Sequence, residues 1–355
     1  MIVFSNIHKY VNGDRYYLNS IIKSLWNDRS PKERRKIYGD WVDAYKFEPD
    51  IEKAQLFFLT YQWTYYCNQD KVSQAWDEVN AAKTHLKPIV IFSCGDNPAN
   101  VPFKDVILFE SAGYRSTPGM RYHSAQPSYI PDYLEVYCDG QLKLRTKQDE
   151  PVIGFCGLAS TSPIEIFFRK LRLKWEQRQY QQGKLKWEPP PFEPSSFRTR
   201  VLRQFEDQPG IQTNYILRKR YRAGVTEDKS LHHPVKVEFV NNILNSDYTV
   251  CMRGGGNFSV RFYETLCLGR IPIFIDTDCL LPFQDEIDYK SYFPWIDLKD
   301  LPYAAEIIRN FHNKLSEDDF IDLQKACRKL WEEHMTQDGF HRDFVRKMKT
   351  FLEYD

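Results

Sequence analysis

The sequence has no long hydrophobic run, since none of its apolar stretches approaches the roughly 20 residues that a membrane-spanning helix requires. The first seven residues, Met-Ile-Val-Phe-Ser-Asn-Ile, lack the basic start and long apolar centre of a secretory signal peptide. We interpret them as a first strand. These absences predict a cytoplasmic protein without a transmembrane segment.

Net charge of either sign is almost absent. Lysine and arginine total 49 and the acidic residues total 48, which gives a formal net charge of +1. Proteins that bind nucleic acids or anionic membranes through their overall charge are strongly basic. The balance therefore gives no bulk electrostatic support for either partner, and we expect no nucleic acid among the partners. Any anion-binding site must be local.

Paired cysteines and paired histidines are also missing. The eight cysteines are scattered, most of them inside apolar runs, and none forms the Cys-x-x-Cys pattern of zinc or redox sites. The eight histidines include no pair with metal-ligand spacing, and we interpret His8, His85 and His123 as surface or loop residues. The sequence therefore predicts reduced core cysteines and no protein-bound metal.

Length and alternation predict an α/β protein of two domains. The 355 residues exceed the roughly 250 to 300 that one core supports. In both halves short apolar runs alternate with helical stretches, a pattern that predicts two parallel sheets covered by helices. We place an N-terminal Rossmann-like domain at residues 1–149 and a C-terminal one at 150–330. Residues 331–355 are expected to form a helix that packs back on the N-terminal domain.

The elements follow from the hydrophobic pattern. The predicted strands are 1–4, 55–60, 88–93, 106–109, 151–157, 212–217, 248–252 and 271–275. The predicted helices are 15–27, 74–85, 163–179, 197–205, 234–245, 260–268 and an amphipathic tail over 317–354. Residues 117–131 are rich in Pro, Ser, Tyr and Gly and predict a long loop at a cleft edge, and 181–196 predict a polar surface insertion.

A glycine-rich turn between a strand and a helix is the most informative segment. Three glycines at 254–256 follow the strand at 248–252, and the next helix begins after Ser259 and ends before Gly269. Ser259 is a favourable N-cap residue, and Gly269 is a favourable residue after the C-cap. Glycines let a ligand approach the backbone, and the free N–H groups of a helix N-terminus favour a phosphate.

Two arginines and a glutamate accompany this turn. Arg253 precedes it and Arg261 lies in the first helical turn, so both guanidinium groups are expected to reach the same anion. With the helix end they would neutralise a diphosphate without a metal. Glu264 lies one helical turn after Arg261, where a carboxylate accepts hydrogen bonds from ribose hydroxyls. The alternative is an ordinary helix with an Arg/Glu pair after a flexible turn.

The residues from 251 to 288 also carry a family pattern. They contain Cys-x-Arg-Gly-x-x-x-x-Ser-x-Arg-Phe-x-Glu, then Gly-x-Ile-Pro-x-x-Ile, Leu-Pro-Phe and Ile-Asp. This pattern resembles the exostosin-like glycosyltransferases. The resemblance implies the GT-B fold, in which the N-terminal Rossmann-like domain binds the acceptor and the C-terminal one binds the nucleotide-sugar donor. It implies transfer of a sugar from a nucleotide diphosphate, UDP by default, to a glycan or glycolipid, with no further cofactor.

The resemblance and the turn together predict which residues bind the donor. They are Arg253, Gly254, Gly255, Asn257, Ser259, Arg261 and Glu264. One feature of the family is missing, because members tend to have a basic residue before the glycine that ends the first C-terminal strand. This chain has Cys156 before Gly157 there. The basic cluster at 218–220 is a candidate substitute.

An acidic pair follows the strand after this helix. Asp276-Thr277-Asp278 is similar to the Asp-x-Asp motif that holds a divalent cation in the other large glycosyltransferase fold. Here the pair follows the strand after the nucleotide helix, and two arginines already supply the charge that a metal would bring. We therefore expect metal-independent transfer.

An inverting transfer needs a general base on the far side of the cleft from the diphosphate. Asp96, in a Gly-Asp-Asn-Pro loop after a strand, is the first candidate, and Glu110 at the end of the next strand is the second. Both have a simpler interpretation as turn or cap residues. Arg261 joins them as a catalytic residue because it would stabilise the leaving group.

Other functions remain open from the sequence. One is a retaining GT-B glycosyltransferase, and another is a non-catalytic module that binds a nucleotide sugar or a carbohydrate. A dehydrogenase is disfavoured because neither half has a Gly-x-Gly-x-x-Gly turn after its first strand. Eukaryotic members of the family usually have an N-terminal anchor, so we expect a bacterial or viral enzyme of the cytosol.

Overall fold

Two parallel β-sheets organise the molecule. The structure is a computed structural model of the 355-residue chain, and it describes residues 1–7, 17–25, 29–96, 99–159, 163–224 and 230–354. One sheet has six strands and the other has five. Helices alternate with the strands along the chain.

The first sheet is built from the N-terminal half. Its strands are β1 (Ile2–Phe4), β2 (Lys46–Phe47), β3 (Leu56–Phe58), β4 (Ile89–Ser93), β5 (Ile107–Glu110) and β6 (Tyr122–Ala125). All pairs are parallel, and the order is β2-β1-β3-β4-β5-β6. Every residue of β3, β4 and β5 is buried, as is typical of a parallel sheet covered on both faces.

The helices of this half are α1 (Ser20–Ser24), α2 (Pro31–Tyr38), α3 (Trp63–Asn68), α4 (Val72–Thr84) and α5 (Tyr133–Tyr137). The helix predicted over 74–85 is α4. Part of the helix predicted over 15–27 lies outside the described residues, and the described part is helical only in α1. Helix α2 was not predicted, because it buries no residue and so has no apolar stripe. A capping box between Ser30 and Glu33 starts it.

The second sheet is built from the C-terminal half. Its strands are β7 (Val152–Leu158), β8 (Gln212–Arg218), β9 (Tyr248–Cys251), β10 (Ile271–Asp276) and β11 (Trp295–Asp297). They are parallel in the order β11-β10-β9-β7-β8. The first four match predicted strands closely. Two parallel sheets in one chain confirm the predicted α/β class and the pair of Rossmann-like domains of the GT-B fold.

The helices of this half are α6 (Pro163–Gln181), α7 (Pro194–Leu202), α8 (Pro234–Leu244), α9 (Val260–Cys267), α10 (Ala304–Lys314), α11 (Glu317–Leu330) and α12 (Gln337–Tyr354). The helical tail predicted over 317–354 is two helices joined by a π-helical turn at Trp331–Met335. Within the described ranges, no helix is both long enough and apolar enough to cross a bilayer.

The prediction of a continuous loop over 117–131 is wrong in part, because it contains β6. This strand pairs with β5 in the register Leu108 to His123. Its sequence, Tyr-His-Ser-Ala, has no β-branched or aliphatic run. Long-range contacts stabilise it instead, such as the 2.8 Å hydrogen bond that the Phe283 N–H donates to Ser124 Oγ. Local propensity alone could not predict this edge strand.

The two hydrophobic cores do not divide at residue 150. Tyr133 and Leu134 of α5, which lie before that position, pack in the core of the second sheet. Phe340 and Phe344 of α12, at the other end of the chain, pack in the core of the first sheet. The two domains therefore exchange their terminal helices, so that each core contains residues from both halves of the sequence.

A buried histidine lies where α12 meets the first domain. The ring of His341 stacks on Trp41 with 3.6 Å between centroids, and its Nδ1 lies 2.9 Å from the Tyr45 hydroxyl. Burial lowers the pKa of His341 from 6.5 to about 3. The imidazole is therefore neutral in the folded protein across the physiological range.

This burial predicts a loss of stability in acid. Because the unfolded chain takes up a proton near pH 6.5 and the folded chain does not, stability is complete above that pH and falls as the pH decreases towards 3. Between about pH 7 and about pH 5 the wild-type protein should lose ~2 kcal/mol more unfolding free energy than His341→Gln. Urea unfolding at the two pH values measures the difference. Equal losses in both proteins would contradict the prediction.

Candidate functional site

The glycine-rich turn lies at a change of direction in the second sheet. From β7 the chain first adds β8 on one side and later β9 on the other. A crevice therefore opens between the carboxyl ends of β7 and β9, the position at which open α/β sheets bind ligands. The turn at 254–256 follows β9 directly and so borders this crevice.

The three glycines of the turn have different surroundings. A Cβ atom on Gly255 would have no neighbour within 4 Å, so the backbone there faces open space. A Cβ on Gly254 would lie 3.5 Å from Arg198 Nη2, and one on Gly256 would lie 2.4 Å from the Asp96 carbonyl oxygen. Gly256 is thus needed for close packing against the first domain, whereas Gly255 leaves room for a ligand.

Arg253 is buried beside this turn, with 2% of its surface exposed. Its Nη1 donates to the Tyr114 hydroxyl at 3.1 Å and its Nη2 donates to the Gly255 carbonyl at 3.2 Å. The guanidinium also lies over the rings of Tyr114 and Phe192, at 5.7 and 5.5 Å from their centroids. Among the described residues, Arg253 Nε has no hydrogen-bond partner and no carboxylate forms an ion pair with the group.

Arg261 reaches the end of β7 from the first turn of α9. Its Nη2 donates to the Cys156 carbonyl at 2.8 Å, and its guanidinium carbon lies 4.0 Å from the centroid of the Phe155 ring. Gly157 makes room for it, since a Cβ there would lie 2.8 Å from Nη2. Burial lowers the pKa of Arg261. Its Nε is also buried without a partner in the described structure, and no ion pair neutralises it.

Arg198 of α7 is a third guanidinium at the turn, which the sequence did not reveal. Its Nη1 donates to the Leu158 carbonyl at 3.0 Å, at the carboxyl end of β7, and its Nη2 faces Gly254. It therefore supplies positive charge near the place where Cys156 replaces the expected basic residue. Arg218, the candidate substitute for the missing basic residue, instead forms an ion pair with Glu238, with 2.6 Å between its Nη2 and the carboxylate.

Helix α9 has the ends that its sequence predicts. Ser259 is the N-cap residue, and Gly269 follows the C-cap with a φ of 63°. The Ser259 hydroxyl makes no capping hydrogen bond in the described structure. The N-cap side chain therefore satisfies none of the first N–H groups of α9, although the Phe262 N–H donates to the Ser259 carbonyl at 3.1 Å.

Glu264 lies one turn further along α9 and is buried, with 7% of its surface exposed. Its Oε1 accepts hydrogen bonds from the Tyr133 hydroxyl at 2.9 Å and from Lys236 Nζ at 2.7 Å. Both bonds go to one carboxylate oxygen. The ammonium of Lys236 also lies 4.6 Å from the ring centroid of Tyr133. These contacts fix the orientation of the carboxylate.

Asn257, for which we expect a donor contact, bonds to protein groups on both sides of the turn. Its Nδ2 donates to the carbonyl oxygens of Gly113 and Asp278, both at 3.1 Å, and its Oδ1 accepts from the Thr277 hydroxyl at 2.6 Å. The residue is completely buried. Since its amide already bonds to protein groups on both sides, we assign Asn257 to holding the turn against the first domain.

Arg115 of the first domain forms ion pairs with both members of the acidic pair, Asp276 and Asp278. Its Nη2 lies 2.7 Å from Asp276 Oδ2, and its Nε lies 3.8 Å from Asp278 Oδ1. Ser116 also donates to Asp278 through its hydroxyl. In the described part of the chain, no group of three or more His, Cys, Asp or Glu side chains has metal-binding geometry. The two carboxylates therefore serve the domain interface.

The two base candidates lie in different environments. Asp96 is exposed and its backbone carbonyl abuts Gly256, which places it next to the turn. Glu110 is buried, and its Oε2 lies 2.9 Å from His123 Nε2. His123 is thus not a surface residue, and its buried Nδ1 has no partner among the described residues. The sequence interpretation of His123 is wrong because β6 was not predicted.

The proline-rich insertion crosses to the first domain. Trp187 forms a β-bridge with Ala99, and Lys186 Nζ donates to the Cys67 carbonyl at 2.9 Å. The next residue, Glu188, is half-buried. Burial raises the pKa of Glu188, Arg253 opposes that shift and Glu110 adds to it. The insertion therefore brings a further carboxyl group between the two domains, a residue that its polar, proline-rich sequence did not distinguish.

The two central glycines generate a paired prediction. Gly255→Ala should leave thermal stability unchanged, because its Cβ enters open space, but should weaken nucleotide diphosphate binding ~tenfold if a phosphate approaches there. Gly256→Ala should destabilise the protein by roughly 1–3 kcal/mol through its contact with the Asp96 carbonyl. Thermal melts and calorimetric titration with UDP distinguish the two. Unchanged UDP affinity in Gly255→Ala would contradict a phosphate site at this turn.

Comparison with known proteins finds relatives for part of the chain. The family model of the Exostosin GT47 domain matches residues 182–311, which include the insertion, the glycine-rich turn and α9. The probable beta-1,4-xylosyltransferase IRX10L of Arabidopsis thaliana is 31% identical over 81 residues, which are 23% of this chain and 19% of that protein. Exostosin-1 of Drosophila melanogaster is 27% identical over 99 residues, which are 28% of this chain and 12% of that protein.

These matches therefore span less than a fifth of each relative. Among solved structures, the α,α-trehalose 6-phosphate synthase of Burkholderia multivorans aligns with a TM-score of 0.37 and 10% identity over 84% of this chain and 71% of that one. The assignment of the fold depends on the two parallel sheets described above. The resemblance to the exostosin-like glycosyltransferases is confirmed by these matches, and within this chain the Exostosin GT47 family model matches residues 182–311.

Proposed function

We propose that this protein is a glycosyltransferase that binds the diphosphate of a nucleotide sugar at the glycine-rich turn and transfers the sugar to a glycan or glycolipid. One observation carries the proposal. The guanidinium groups of Arg253 and Arg261 lie beside an open backbone turn, and each has a buried Nε without a partner in the described structure. Such a site favours an anionic ligand.

Charge is the first argument. A buried cation without a counter-ion costs free energy, because the protein interior solvates it less well than water does. The ring faces around Arg253 and Arg261 lower that cost but bring no negative charge. A diphosphate supplies the missing charge and enough oxygen atoms to accept from both guanidinium groups and from Arg198.

The same arrangement favours the chemical step. The acceptor hydroxyl oxygen attacks the anomeric carbon, the bond from that carbon to the diphosphate oxygen breaks, and a base takes the hydroxyl proton. Negative charge grows on the diphosphate as the bond breaks. Donors already fixed beside it stabilise the transition state more than the ground state. Because the arginines supply this charge, the proposal includes no metal ion.

The remaining parts of the donor follow from their neighbours. We assign the ribose to Glu264, whose carboxylate is oriented by Tyr133 and Lys236 through one oxygen. No described residue bonds to Glu264 Oε2, so that atom is the one proposed for the ribose hydroxyls. UDP is the nucleotide to test first. The Arabidopsis relative is described as a probable xylosyltransferase, so a UDP-linked xylose belongs among the first donors.

We assign the base of an inverting transfer to the first domain. Asp96 is favoured because its side chain is exposed at the cleft and its backbone touches the turn that holds the diphosphate. The Glu110 carboxylate is enclosed by His123 and Gly113, which restricts its access to an acceptor. It remains the second candidate.

Removal of the Arg261 guanidinium tests the donor site. Arg261→Ala should reduce transfer by roughly a hundredfold or more, because one strong donor to the leaving group is lost. It should also abolish the thermal stabilisation by UDP, since a ligand raises the melting temperature only if it binds the folded state. Arg198→Ala should show a smaller loss in both measurements. Radiolabelled transfer with added EDTA and thermal shift with UDP measure the effects.

The matched control is Arg309→Ala, which removes a half-buried arginine of α10 that bonds to the Pro209 carbonyl. It should behave as the wild-type protein in both assays. If Arg261→Ala retains full transfer, the donor-site proposal fails. If the wild-type protein binds UDP sugars but forms no product, the chain is a binding module instead, and loss of transfer in EDTA that manganese restores would contradict metal independence.

Asp96→Asn tests the base. This change should leave UDP binding unchanged and reduce turnover by roughly a hundredfold, because the amide cannot accept the hydroxyl proton. Glu110→Gln is the comparison variant at the other candidate position. Turnover and UDP affinity should be measured for both at the same pH. A loss of turnover in Glu110→Gln but not in Asp96→Asn would identify Glu110 as the base instead.

A further inference from the structure

Helix α6 carries a continuous stripe of exposed apolar side chains, which are Ile164, Phe167, Phe168, Leu171 and Trp175. Between 56% and 69% of the surface of each residue is exposed. Their spacing places them on one face of the helix. Exposed apolar patches of this kind mark interaction surfaces on soluble proteins.

The opposite face of α6 holds the helix on the molecule. Leu173 is its one buried residue among those described, and it lies about 180° around the helix from the centre of the stripe. The neighbouring helix α7 buries Phe197, Val201 and Leu202 in the core of the second sheet. Because α7 fills this part of the core, the apolar stripe of α6 is not needed there and faces outward.

Basic residues border the stripe on both sides. Helix α6 contains five basic residues and two acidic ones, although the chain as a whole is almost neutral. Lys170 and Lys174 follow one edge of the stripe and Arg172 lies on the other edge. Of these, Arg172 pairs with Glu176 at 2.7 Å. The local excess of positive charge thus coincides with the exposed apolar face.

We propose that α6 binds the surface of an anionic lipid bilayer, with its apolar stripe in the interface and its lysines at the lipid phosphates. An amphipathic helix with aromatic and aliphatic residues on one face and basic residues beside them lies in the plane of a membrane. Its 19 residues include too many charges to span one. This inference goes beyond the proposed transferase activity and does not depend on it.

Charge decides against a second copy of the chain as the occupant. Two α6 stripes packed face to face would bring the basic borders of both copies together, with only Glu165 and Glu176 of each copy to oppose them. Like charges across an interface destabilise it. An anionic lipid surface instead attracts the basic residues that border the stripe, at about 1 kcal/mol for each.

Vesicle flotation of the full chain tests the proposal. The probes are vesicles of phosphatidylcholine alone and vesicles in which about one third of the lipid is phosphatidylglycerol. The wild-type protein should float with the anionic vesicles, float at least ~tenfold less with the neutral ones, and dissociate in high salt because salt screens the lysines. No nucleotide is added, so the result does not depend on the donor site.

Two variants separate the apolar and electrostatic contributions. Phe168→Ser with Leu171→Ser should weaken flotation ~tenfold or more, because two large apolar side chains leave the interface. Lys170→Glu with Lys174→Glu should weaken it ~20-fold or more. All four positions are exposed, so the melting temperature should not change. The controls are Ile37→Ser and Lys83→Glu, matched exposed positions in α2 and α4, which should float as the wild-type protein does.

Three results would overturn the proposal. The first is a wild-type protein that floats with neither type of vesicle. The second is flotation that both double variants retain at the wild-type level. The third is a dimer in light scattering that Phe168→Ser with Leu171→Ser dissociates, in the absence of vesicle binding, because that result assigns the stripe to a second copy.

Discussion

The guanidinium groups of Arg253 and Arg261 each have a buried Nε without a partner and no ion-pair contact among the described residues, and the rest of the donor site is arranged around that constraint. Arg253 lies between the rings of Tyr114 and Phe192, and Arg261 lies on Phe155. Ring faces and backbone carbonyls stabilise these cations without neutralising them. A carboxylate in their place would form a permanent ion pair and would compete with a phosphate ligand. The site is therefore organised before any ligand arrives, and an anion gains the full electrostatic interaction on binding.

This organisation needs both domains. The ring and hydroxyl that hold Arg253 belong to Tyr114 of the first domain, and the adjacent Gly113 carbonyl accepts from Asn257 in the turn. Arg115, the next residue, bonds to Asp276 at the end of β10. Three consecutive residues of the first domain thus bond to Asn257, Arg253 and Asp276 of the second. The position of Asp96 over the glycine-rich turn follows from the same contacts, so a change at this interface is expected to alter both donor binding and the base.

The sequence could predict those features that depend on neighbours along the chain. The apolar strands, the turn at 254–256 and the end of α9 at Gly269 all follow from local patterns, and the structure contains them. Features that depend on tertiary contacts could not be predicted from the sequence. In the sequence, nothing distinguishes Arg198 from other arginines on helix surfaces, and only the fold brings it beside Gly254. His123 was interpreted as a surface or loop residue because the pairing of β6 with β5 was not predicted. The hydrogen bonds of the Asn257 amide could not be predicted for the same reason, because its partners are distant in sequence.

The placement of α6 connects its exposed face with the cleft. The helix begins five residues after Leu158, the carboxyl end of β7, which borders the donor crevice. Six residues after it ends, Trp187 pairs with Ala99 of the first domain, so both ends of α6 lead to the cleft. If a bilayer covers that stripe, the mouth of the cleft lies close to the lipid surface, and an acceptor carried on a lipid would reach Asp96 and the diphosphate without leaving the membrane. Partition onto a surface also raises the local concentration of such an acceptor, and the local excess of basic residues on α6 would favour that partition in a chain with almost no net charge.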